Sequence, residues 1–72
     1  MQKMKAPILI RKDTKELALS TLRTVSQMPT FRLVSTMTQY NGWRHKTNLT
    51  ILQELSAAGF VLLEDGNVRL VK

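Results

Sequence analysis

The sequence predicts an α+β domain: three helices followed by a C-terminal antiparallel hairpin. Three observations carry this. Apolar residues recur at three-and-four spacing in three separate segments. Helix breakers separate those segments: Pro29, then Asn41-Gly42, then Gly59. Finally, Asp65-Gly66 sits between two short apolar runs, the usual signal for a tight two-residue hairpin.

Taken in order, Pro7-Ile-Leu-Ile-Arg11 is rich in β-branched residues and predicts a short strand or extended arm. Asp13, three positions before Glu16, has the spacing of a capping box and predicts a helix start there. That helix would run to about Gln27. Its stripe is Ala18, Leu22 and Val25, flanked by Leu17, Thr21 and Met28, and Pro29 ends it. Thr30 is the next N-cap. A second helix from Phe31 to Thr38 or Gln39 would turn Val34 and Met37 inward, with Phe31 and Leu33 at its start. Asn41-Gly42 makes the bend, since both residues tolerate positive φ.

A third helix begins between Trp43 and Thr47 and ends at Ala58, with Asn48, Leu52 and Leu55 near one line and Gly59 at the C′ position. Centring the last turn on Asp65 and Gly66 pairs Leu63 with Val68 and Val61 with Leu70 on one face. Leu62 and Arg69 then share the other.

Composition bounds the function. The 72 residues suit one domain spanning 1–72, with residues 1–6 as a flexible arm. Lys and Arg total 11 against 5 Asp and Glu, a net charge of +6, which attracts polyanions; nucleic acid ranks first and an anionic membrane second. No aromatic precedes Phe31, so a membrane-binding amphipathic helix over residues 1–25 is disfavoured. The longest apolar runs are far below the roughly 20 residues of a membrane span, and the N-terminus lacks the apolar core of a signal peptide. The absence of cysteine excludes disulfides, thiol catalysis and cysteine-based metal sites, and fits a cytoplasmic protein.

One histidine, His45, stands between Arg44 and Lys46 with no carboxylate beside it, and a zinc site needs three or four ligands. Nor is there a Gly-x-x-x-x-Gly-Lys phosphate loop. The chain is therefore read as no enzyme, with no catalytic residue, metal or cofactor.

The stretch Leu49–Val71, and within it Leu52-x-x-Leu55-x-x-x-Gly59-Phe60-Val61, resembles the winged helix-turn-helix superfamily of bacterial and phage DNA-binding regulators. Leucines three apart face the core, a glycine stops the helix, and two apolar residues open a strand. The likeness extends from Phe31 to Val71. It implies that the hairpin is a wing and that the third helix, about residues 44–58, lies in the major groove with its leading side chains at base edges.

The exposed candidates are Arg44, His45, Lys46, Thr47, Asn48, Thr50 and Gln53. Arg and Lys suit guanine, Asn and Gln suit adenine, and Thr suits base or phosphate. The alternative for the basic cluster is a plain solvated helix start, with Asn48 partly packed. Thr30 and Arg32, opening the second helix, would meet phosphate, and Arg69 on the hairpin would touch the backbone. Trp43 and Tyr40 could reach phosphates, but the preferred reading is that Trp43 anchors the bend to the core. Lys3, Lys5, Arg11, Lys12 and Lys15 are either a DNA-binding arm or a solubilising tail.

Two features depart from the family. The hairpin tip Glu64-Asp65-Gly66-Asn67 is acidic, where wings that insert into DNA are basic. The strand expected at 7–11 precedes the first helix, where the family's first strand follows it. The implied function is sequence-specific binding of double-stranded DNA by a small transcription regulator or accessory recombination factor. A homodimer on two half-sites is the further implied partner. The alternative is a protein-interaction module that docks a replication or transcription protein through the same fold.

Overall fold

A computed structural model describes residues 7–71, with side chains from residue 9 onward. The arm expected over residues 1–6 lies outside the described residues. The order is α1 (Pro7–Val25), β1 (Gln27–Pro29), α2 (Thr30–Asn41), α3 (His45–Ala57), β2 (Val61–Glu64) and β3 (Asn67–Leu70). The described residues thus form an α+β unit of three helices and a three-stranded antiparallel sheet, in the order β1-β3-β2.

The strand expected at 7–11 is instead the first part of α1. Pro7 fits a first helical turn, where its missing N–H has no partner to lose. Thr14 links this part to the rest: it is fully buried and donates its hydroxyl to the Ile10 carbonyl at 2.7 Å. A threonine that satisfies its own oxygen this way can stand on a buried stripe. Ile10, Thr14, Ala18 and Leu22 therefore form one continuous face at i, i+4 spacing. Asp13 and Glu16 lie inside the helix and form no capping box at its start.

The first helix also ends earlier than expected. It stops at Val25, which is half exposed, and Ser26 takes φ 68°. The Ser26 amide donates to the Leu22 carbonyl at 2.6 Å, and its carbonyl accepts the Leu70 amide at 2.9 Å. This left-handed residue turns the chain straight into β1, whose Met28 packs on the core. The strand pairs Gln27 with Arg69, Met28 with Val68 and Pro29 with Asn67. It is an edge strand, where a proline can be accommodated without breaking a ladder.

Residue 29, not Thr30, caps α2: Pro29 has φ −59° and ψ 135°, and no side chain caps the helix. The amide of Thr30 donates instead to the Gly66 carbonyl at 2.9 Å, which pins the hairpin turn to the start of α2. The helix runs on to Asn41, which is helical, so only Gly42 supplies the positive φ of the bend (72°).

The C-terminal part matches the sequence reading. Gly59 at φ 85° closes a Schellman turn, with Gly59 N–H on Ser56 and Phe60 N–H on Leu55, both at 3.0 Å. Asp65 (φ 52°) and Gly66 (φ 76°) make the two positive-φ positions of a type I′ turn. The hairpin register is Leu63 with Val68, Val61 with Leu70 and Leu62 with Arg69.

The core is formed by Ala18, Leu19 and Leu22 of α1, Leu33, Val34 and Met37 of α2, Ile51, Leu52 and Leu55 of α3, and Val61 and Val68 of the hairpin. Trp43 packs against it from the bend, in its anchoring role. No helix among the described residues is long and apolar enough to cross a membrane.

Candidate functional site

The bend between α2 and α3 spans residues 42–44 and is held by two carboxamides, the half-buried Asn41 and the buried Asn48. Asn48 of α3 is fully buried. Its oxygen accepts the Asn41 Nδ2 at 2.8 Å, and its own Nδ2 donates to Thr38 Oγ1 at 3.0 Å. Asn41 Nδ2 also donates to Thr14 Oγ1 at 3.0 Å, while its oxygen accepts the Trp43 amide at 2.8 Å. No buried side-chain polar atom among the described residues lacks a partner. The network ties α1, α2, the bend and α3 at one point and fixes how α3 leaves α2.

Asn48 must therefore be struck from the exposed candidates. It is a core residue because the α3 stripe Asn48, Ile51, Leu52, Leu55 faces inward and Asn41 supplies the partner a buried amide needs.

The remaining α3 candidates are on the surface. Arg44, His45, Lys46, Thr47, Thr50 and Gln53 are all exposed. Thr50 donates its hydroxyl to the Lys46 carbonyl at 3.0 Å, and His45 Nε2 lies 3.4 Å from Ser35 Oγ on α2. Among the described residues neither Arg44 nor Lys46 pairs with an acid. The single acid of α3, Glu54, is engaged on the α1 side, with Arg11 and, at 3.2 Å, Lys15. Hydrogen bonds from Arg11 and then Lys15 hold the Glu54 carboxyl below its ordinary range.

Two of the cations expected in an N-terminal arm, Arg11 and Lys15, thus sit within α1 and bind it to α3. Lys3 and Lys5 lie outside the described residues. Tyr40, expected near the bend, donates its hydroxyl to Asp13 Oδ2 at 3.3 Å.

Thr30, His45 and Lys46 come together along one groove. Arg32 is exposed on the first turn of α2. Arg69 is not brought to them. It stands on the outer sheet face, beside Gln27, Leu62 and Glu64 in a separate shallow depression, because odd-numbered residues of β3 point away from the helices.

Two residues join the site that the polar pattern did not mark. Phe31 is 67% exposed and Leu49 is 37% exposed, and both line the groove with Thr30, His45 and Lys46. A signal for them existed. The buried stripe of α2 is Leu33, Val34, Met37 and that of α3 is Asn48, Ile51, Leu52, Leu55, so each helix carries one large apolar side chain at the margin of its stripe.

Compared with protein-family models, curated proteins and solved structures, this chain finds no match. Among the described residues no three of His, Cys, Asp and Glu cluster as a metal site.

Proposed function

We propose that this domain binds double-stranded DNA sequence-specifically as a winged helix-turn-helix, with α3 in the major groove and the β2–β3 hairpin as a short wing. A small transcription regulator or accessory recombination factor is the role this reading suits. One observation carries it: the sorting of charge on α3. The leading turn presents Arg44, His45, Lys46 and Thr47 to solvent, with no acidic partner for Arg44 or Lys46 among the described residues, while Glu54, about two turns further along, is taken up by Arg11 and Lys15 of α1. A helix entering the groove brings the side chains of its leading end to base edges, where Arg and Lys donate to guanine. The connection over residues 42–44, containing Gly42, has the length of a helix-turn-helix bend.

The experiment is selection from a random duplex pool, followed by titration of the selected duplex at several salt concentrations. Log affinity should fall linearly with log salt, by about 0.9 per phosphate neutralised. Arg44→Ala with Lys46→Ala should weaken binding of the selected duplex by about 1–3 kcal/mol per lost base contact and relax its sequence preference. Failure to bind any duplex near physiological salt, or a double variant with unchanged affinity and sequence preference, overturns the proposal.

The second reading, a protein-docking module, is favoured by the exposure of Phe31 and Leu49. It predicts that a partner is captured through this groove while duplex binding is absent.

A further inference from the structure

The groove between α2 and α3 has a volume of about 530 Å³ and an apolar wall made by Phe31, Val34 and Leu49. Thr30 and Gly66, joined by a backbone hydrogen bond, also line it. A contiguous apolar surface rimmed by polar residues marks a contact site more often than a lone exposed residue does. Here its setting restricts what the contact is with. Lys46 and His45 border it, and no acidic side chain lines it. On α3, Leu49 stands three residues after Lys46 and four before Gln53, so the three side chains share one helix face. An apolar side chain is thus set between two polar ones that suit base edges.

We infer that Leu49, backed by Phe31 and Val34, is a specificity-determining contact for the 5-methyl group of thymine. The inference rests on the proposed DNA reading and deepens it. The major-groove floor offers acceptors, donors and a single kind of apolar group, the thymine methyl. Lys46 and Gln53 match the first two, and Leu49 matches the third. Lys46 on the border, with no acid lining the groove, favours a duplex over a partner protein as the occupant, since the phosphates supply the complementary charge. Phe31, on the first turn of α2, extends the same apolar surface.

The experiment uses the full chain and the selected duplex, with each thymine replaced in turn by deoxyuridine, which removes only the methyl. At one or two positions affinity should fall about four-fold, the equivalent of one buried methyl at about 0.8 kcal/mol. Leu49→Ala should bind the thymine and uracil duplexes equally at those positions and keep the salt dependence of the parent. Because the uracil series uses the unaltered protein, it does not depend on how the variant folds.

A duplex bound with a normal salt slope but indifferent to uracil at every position overturns this inference and leaves the DNA reading standing. So does a Leu49→Ala variant that keeps the full preference for thymine. Failure to bind any duplex removes the DNA reading and this inference with it. A dimer or protein complex that buries Leu49, with no uracil effect, assigns the groove to a protein and also overturns it.

Discussion

Asn48→Ala would remove a carboxamide shared by Asn41, Thr38 and the Trp43 carbonyl. The alanine leaves the Asn41 Nδ2 and the Thr38 hydroxyl short of partners in the interior. Each buried polar group left unsatisfied costs about 1–3 kcal/mol, so a loss of about 2–3 kcal/mol is expected in urea unfolding. In a small domain that is a large share of the total stability. Ser26 predicts a change of the opposite sign. Its φ of 68° is strained for an L-residue and free for glycine. Ser26→Gly should raise stability by about 0.5–1 kcal/mol after glycine's extra unfolded-state entropy is subtracted, seen as a higher Tm. Ser26→Val, stiff at the β-carbon, should lower it.

Between elements, the charged tie from α1 to α3 among the described residues runs through one carboxylate, Glu54. Arg11 and Lys15 hold Glu54 charged to lower pH than an unfolded glutamate, so ionised Glu54 favours the folded state. The folded pKa is the lower one. The contribution is therefore complete above the unfolded value near ~4.3 and disappears as pH falls through the depressed folded value. Glu54→Gln should differ in stability from the parent at neutral pH and converge with it in acid, as read from urea midpoints across the pH range. The effect should be small and weaken with salt, since the Glu54 side chain is 41% exposed.

The same scale shows why some elements were legible in the sequence and others were not. The hairpin was read to its register because Asp65-Gly66 fixes the turn and period-two alternation fixes the faces. The three-residue β1 carries no period, and its Pro29 reads as a helix stop; only pairing with β3 makes it a strand. At the start of α1 the β-branched Ile8 and Ile10 favour a strand, a weak preference that the stripe of Ile10 with Thr14 and Ala18 overrides. Within the site, the exposed cations are evident from charge alone. Asn48 reads both ways: its line with Leu52 and Leu55 points inward and its polarity outward, and the partner that settles it, Asn41, meets it only once the bend has formed.

At the level of the whole molecule, the field is not uniform. The chain carries +6, yet Glu64 and Asp65 stand at the hairpin turn, and Gly66 beside them touches the start of α2 and lines the groove. In a winged helix docked through α3, that turn faces the same duplex, and its two negative charges work against the cations of α2 and α3. Glu64→Gln with Asp65→Asn keeps the turn, since Asn-Gly suits a type I′ hairpin as well as Asp-Gly does. The pair of changes should leave stability nearly unchanged and tighten duplex binding several-fold at low salt. The gain should shrink as salt rises toward ~1 M, where the Debye length falls to about 3 Å. If neutralising the turn leaves duplex affinity unchanged at every salt concentration, the hairpin lies away from the phosphates, and α3 must approach DNA with the sheet turned outward. Titrations of parent and variant on one selected duplex decide between these two orientations.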